Sequence, residues 1–181
     1  LCHATEPMRQ PASVALLPFD GVVADSELAW TCTAWRAAAT LWPQLACAAD
    51  TLTLRDAGVR HKWVSDRSEL EGCRDDGMPE WLAVKMRQLR PAVQSEYEHL
   101  LLLRLCIDEA LASKQSTRGM RPLSVGEIES SWAQLRDSLL FRCATSKHEL
   151  ALAYEQASQD WRFNEPSEWS DAHRLRQPVV R

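Results

Sequence analysis

The chain has 181 residues, of which 45% are hydrophobic and 25% charged, with a net charge of −4. That balance fits one folded domain, with or without an appendage, and excludes a disordered chain. It shows no basic nucleic-acid footprint, and the longest uncharged run, Ala37 to Ala49, is too short to span a membrane, so membrane contact is at most peripheral.

Residues 1–13 carry Pro7 and Pro11 without periodicity and read as an irregular arm. Val14 to Phe19 is a short apolar run, the one candidate for a buried extended segment, although Pro18 inside it cannot donate to a sheet ladder. A helix is expected from Asp25 or Ser26 to Pro43, with Leu28, Cys32, Trp35, Ala39 and Trp42 at helical spacing. Residues 44–78, with Gly58, Gly72 and Gly77 and mixed charges, read as a surface insertion. From Pro79 a long helix is expected to about Ser113, kinked at Pro91. Its Leu100-Leu101-Leu102-Leu103 run is apolar on every side and predicts burial on several faces.

A basic loop, 114–123, precedes two capping boxes. Ser124 with Glu127 opens a helix striped by Val125, Ile128, Trp132, Leu135 and Leu139, and Ser146 with Glu149 opens one striped by Leu150, Ala153, Tyr154, Ala157 and Trp161. In each box the serine and the glutamate three residues later satisfy end N–H groups reciprocally. Residues 164–181 read as a polar tail with at most one short turn near Glu168-Trp169. The expected fold is a mainly α helical bundle over 14–163, of about four helices, with one short N-terminal extended segment and no complete parallel sheet.

With six glycines, the chain has no G-x-G-x-x-G and no G-x-x-x-x-G-K-[ST] phosphate cradle. The six cysteines form no C-x-x-C pair and the five histidines are scattered, so no metal or cofactor site is expected. The cysteines read as reduced, mostly buried thiols in a non-oxidising compartment. His148-Glu149 reads as part of a capping box, and His61-Lys62 with its neighbouring arginines reads as a solvated face because acids are interleaved. Arg118 and Arg121 read as part of a mobile basic loop, and Asp75-Asp76 as turn chemistry.

The most informative stretch is Phe19-Asp20-Gly21-Val22-Val23-Ala24-Asp25-Ser26-Glu27 after an apolar run. It resembles the first motif of the haloacid-dehalogenase-like hydrolase superfamily, strand then D-x-D-G-V. Leu41-Trp42-Pro43, Leu89 to Val93, Tyr97 to Arg104, Leu123-Ser124-Val125 and Trp132 to Leu135 are similar to the helical cap of a plant, algal and cyanobacterial branch. The resemblance covers most of 14–173, apart from 44–78. In that family the first Asp is nucleophile and magnesium ligand, and the second a general acid/base. Here the second matches Asp20, but Pro18 stands at the nucleophile position. The family's remaining motifs lie on strands downstream of the cap, where this chain ends.

The resemblance therefore implies a non-catalytic, cap-derived accessory or scaffold subunit of a larger multi-protein assembly, plausible in a plastid photosynthetic complex such as a photosystem or its antenna. It is expected to have no catalytic residue, no cofactor and protein subunits as partners. The start at Leu1 rather than Met suits a processed, plastid-targeted precursor, soluble or peripheral on a membrane complex. The alternative is a magnesium-dependent phosphatase or hydrolase whose core is supplied elsewhere, with Asp20 as general acid/base. Trp30, Trp63 and Trp169 fall off the clearest buried stripes and are the expected interface residues.

Overall fold

The structure, a computed structural model, describes residues 24–59, 77–116 and 119–175. The apolar run Val14 to Phe19, Pro18, Asp20, Trp63, the His61-Lys62 pair, Asp75-Asp76 and Arg118 lie outside the described residues. The described chain is mainly α. Its helices are α1 (Glu27–Leu41), α2 (Pro43–Ala49), α3 (Glu80–Leu89), α4 (Glu96–Gln115), α5 (Val125–Arg142), α6 (Lys147–Asn164) and α7 (Pro166–Ala172). A two-residue antiparallel pair, β1 (Ala24–Asp25) with β2 (Arg174–Leu175), ties the two ends of this region together. There is no parallel sheet among the described residues.

Helices α1 and α4 form the centre. α1 packs on α4 and α6, with α2, α3 and α7 against its remaining sides. It buries more than the single stripe expected: Thr31, Thr33, Ala34, Ala37 and Ala38 are buried beside Leu28, Cys32 and Trp35. Small side chains let neighbours approach from several directions, and the Thr33 hydroxyl satisfies itself on the Ala29 carbonyl at 2.8 Å. In α4 all four leucines, 100 to 103, are fully buried. Each contributes roughly 1.5–3 kcal/mol of transfer free energy, so this turn is the apolar anchor of the bundle. Both capping boxes form as expected, Ser124 with Glu127 and Ser146 with Glu149.

Three expectations are corrected. The long helix from Pro79 is broken rather than kinked. It ends at Leu89, passes through a 3-10 turn (Arg90–Ala92) and an extended Val93, and restarts at Glu96. Pro91 removes a donor, and the Glu98 carboxylate then takes the Gln94 N–H at 3.0 Å, so the break is satisfied and α3 folds back beside α4.

The second correction concerns 44–59, which is part of the core. Leu45, Ala49, Leu52 and Ala57 are buried in it. A single turn at Thr53–Gly58 carries its own caps. The Thr53 N–H donates to Asp56 Oδ2 at 2.9 Å, the Asp56 N–H donates to Thr53 Oγ1 at 3.3 Å, and Val59 N–H closes on the Leu54 carbonyl at 2.9 Å. Gly58 at φ +68° makes that closure.

Third, residues 166–172 form the helix α7 instead of a loose tail, and Ala172 is buried where α7 meets α6 and α1. Arg36 of α1 pairs with Glu165 just before α7. The seven helices thus exceed the four expected, because the short α2 and α7 lack enough length to show a period and the long helix divides.

Candidate functional site

Two arrangements of polar groups stand inside this apolar frame. In the first, the Glu98 carboxylate on α4, 2% exposed, is surrounded by donors. It accepts from the Gln94 N–H at 3.0 Å, the Trp132 indole N–H at 3.1 Å and Arg136 Nη1 at 3.2 Å. Burial by itself raises this carboxyl, but the donors outweigh it and hold the group below its ordinary value. Every oxygen is spent on structure, joining α4, α5 and the break after α3.

Next to it, His99 is buried between Trp30 and Tyr154, with ring centroids 5.8 and 6.3 Å away. Its Nδ1 lies 3.3 Å from the Glu96 carbonyl, and its Nε2 has no partner. Burial first, and then the Arg90 guanidinium, bring the imidazole down to about 4. It is therefore neutral near pH 7. The Tyr154 hydroxyl donates to the Trp30 carbonyl at 3.4 Å, and burial pushes its own ionisation up. The three rings stack where α1, α4 and α6 meet, so the cluster braces the core.

The second arrangement is a pocket of about 470 Å³ between the 57–59 turn, α3 and the start of α5, lined by Lys85, Gln88, Leu123, Ser124 and Val125. Lys85 belongs to the apolar stripe of α3 and is only 3% exposed. Its Nζ donates to the Ala57 carbonyl at 3.1 Å and the Leu123 carbonyl at 3.5 Å. Gly58 is required here twice over, by its positive φ and because a Cβ would meet Pro122 Cγ at 2.9 Å. Cys106 is buried nearby, and burial pushes its thiol up to about 11 against the opposing pull of Lys85. A second pocket, of about 450 Å³, lies beside α2 and α4, but its Arg104 is already paired with Asp108 at 3.1 Å.

The expected interface tryptophans are not exposed together. Trp30 is half-buried under Arg90, whose guanidinium carbon is 4.0 Å from the ring centroid. Trp169 is half-buried on α7 against His173, at 4.1 Å between centroids. Trp63 lies outside the described residues. The large exposed apolar side chains are others: Phe141 at 88% and Phe163 at 86%, with Leu152, Met120 and Leu41 less so. Phe163 follows Leu152 by eleven residues, which returns it to the same face of α6 to within about 20°. Sequence periodicity missed both phenylalanines because each follows a well-formed buried stripe. The signal for Lys85 was its place on the stripe of Trp81 and Met86.

Arg121 and Glu127 neutralise one another bidentately at 2.7 Å. This ties the basic loop to the first turn of α5. The expected reduced state is corrected at Cys32, which is disulfide-bonded, while Cys47, Cys106 and Cys143 are free. Bonding depends on which Cβ atoms meet in space, and sequence spacing does not report that. Among the described residues no group of His, Cys, Asp and Glu is placed to hold a metal ion, and no helix is long and apolar enough to cross a membrane.

Fold and geometry together define a mainly α bundle with a polar brace at its centre and one lysine-walled pocket. Compared with protein-family models, characterised proteins and solved structures, the chain matches none.

Proposed function

We propose that this chain is a non-catalytic accessory subunit that docks on another protein of a larger assembly, and that it derives from the cap of a haloacid-dehalogenase-like hydrolase. The observation that carries the docking is the near-complete exposure of Phe141 and Phe163 on an otherwise well-packed bundle. Exposed aromatic side chains of this size mark contact surfaces more than solvated ones. Leu152 and Phe163 stand about 16 Å apart along α6, a span suited to a protein surface and too long for a small molecule. Exposed Glu155 and Asp160 flank that face, which disfavours an anionic lipid surface as the occupant. Pro18 supports a non-catalytic role, since it offers neither nucleophile nor metal-binding side chain where the related motif carries Asp. The similarity to a photosynthetic branch makes a plastid photosystem or antenna the proposed setting.

The test has two arms. A photo-crosslinking amino acid at 141 or 163, expressed in the source cell, should join the chain to one discrete partner subunit, whereas one at exposed Asp50, at the end of α2, should not. Model-phosphate hydrolysis with magnesium should be absent for the purified chain. Activity there would replace this reading with the hydrolase one, with Asp20 as general acid/base.

A further inference from the structure

We propose that the pocket walled by Lys85 binds a small organic monocarboxylate, its carboxylate on the Lys85 ammonium and its apolar body against Val59, Leu123 and Val125. The pocket wall carries an unbalanced charge. Lys85 is 97% removed from solvent by its 3% exposure, yet among the described residues it forms no ion pair. Its Nζ is held by two backbone carbonyls, of Ala57 and Leu123. Both residues line the pocket, so the ammonium sits in the pocket wall. An ammonium has three N–H donors, and one remains for a ligand. A buried cation without a counter-ion carries a desolvation cost that an anion in contact offsets.

Among the described residues the neighbouring acids do not supply that anion. Glu109 on α4 accepts the Leu123 N–H at 3.2 Å. Glu127 is occupied by Arg121 and by the Ser124 cap. The first turn of α5 opens on the same pocket through Ser124 and Val125. Its end N–H groups add positive potential there.

Size and polarity then select the ligand. A pocket of about 470 Å³ lies within the range of small-molecule sites, and its aliphatic walls suit a hydrocarbon body. One buried cation balances one negative charge. A phosphate dianion would enter with a second charge uncompensated. The pocket beside α2 makes the contrast, since the Arg104 charge there is met by Asp108 within the protein.

The experiment is calorimetric titration of the full chain with hexanoate, hexan-1-ol and inorganic phosphate. Hexanoate is expected to bind one to one, with hexan-1-ol and phosphate at least tenfold weaker. Lys85→Met keeps the buried stem and removes the charge, and should weaken hexanoate at least tenfold while leaving hexan-1-ol unchanged. Val59→Trp keeps the charge and fills the volume, and should weaken both; it decides the matter if Lys85→Met does not fold. No hexanoate binding, equal binding of the alcohol, tighter binding of phosphate, or hexanoate binding unchanged by Val59→Trp would each overturn the proposal.

Discussion

The indole N–H of Trp132 donates to the Glu98 carboxylate at 3.1 Å, joining α5 to α4 across 34 residues of sequence. The same carboxylate receives Arg136. Replacing Glu98 by Leu leaves the Trp132 indole and the Gln94 N–H without their acceptor, while Arg136 keeps Asp137, and is expected to cost about 3 kcal/mol of unfolding free energy. Glu98→Gln keeps an acceptor and should cost less. Urea denaturation of both variants checks the order; a Leu variant as stable as the parent would show that the brace contributes nothing.

His99 sets an acid sensitivity. Its imidazole lies at about 4 in the folded chain against an ordinary 6.5. Above 6.5 it is neutral in both states and has no effect on stability. As pH falls from 6.5 towards 4, only the unfolded chain takes up the proton, so stability declines through that window and levels off below it. The loss is about 3 kcal/mol in total. Arg90, Glu96 and Glu98 are the charged groups around the ring, and the lowered Glu98 carboxyl adds its own loss only below about 4.5. Thermal midpoints from pH 7.5 to 4.5 should fall for the parent and stay nearly flat for His99→Phe. Parallel slopes would reject the assignment.

The two capping boxes should be independent. Ser124→Ala and Ser146→Ala each remove an oxygen that accepts the N–H of the third helical residue. Each is expected to cost about 1 kcal/mol. The double variant should show the sum, because the boxes share no residue. A loss far above the sum would reveal coupling between α5 and α6.

Ala144 offers a stabilising change. It adopts φ 48° in the turn after α5, where the Thr145 N–H returns to the Leu140 carbonyl at 3.2 Å and the Ala144 N–H to Phe141 at 3.1 Å. This geometry favours glycine. Ala144→Gly relieves left-handed strain and gives back part of the gain as chain entropy. Stability should rise by roughly 0.5–1 kcal/mol, seen as a higher denaturation midpoint at unchanged slope. A fall would contradict the turn.

Cysteine labelling should follow burial. In the native chain without reductant, iodoacetamide should modify exposed Cys47 first, Cys143 more slowly and Cys106 last. Burial raises both slower thiols and so lowers their thiolate fraction. Cys32 should react only after reduction. Peptide mass spectrometry with timed quenching reads the order, and early labelling of Cys106 would mean that α4 is not packed as described.

Local signals with a short range were legible. The serine–glutamate boxes of α5 and α6 and the leucine run of α4 involve residues within one or two turns, where spacing and chemistry determine geometry. The break at 90–95 was visible only as Pro91. Whether proline kinks or divides a helix depends on what receives the freed groups, and here that is Glu98. The turn at 53–58 carried a readable cap in Thr53 and Asp56 and a readable stop in Gly58, yet its charges masked the burial of Ala57. Of the tryptophan candidates for an interface, Trp30 and Trp169 are half-buried. A residue off one helix's stripe still meets a neighbouring segment, as Trp30 meets Arg90 and Trp169 meets Arg162 of α6.

The amino-acid sequence by itself determined where α5 and α6 begin, that the Leu100 to Leu103 turn of α4 is apolar on every side, and that the bundle is helical, since periodicity and caps are local properties of the backbone. Tertiary packing alone decided that Lys85 lies in a pocket with no carboxylate among its described lining residues, that Glu98 gathers donors from two segments, and that Phe141 and Phe163 stay outside. Those outcomes depend on which helices become neighbours, and long-range burial and charge pairing are set only when the chain has closed on itself.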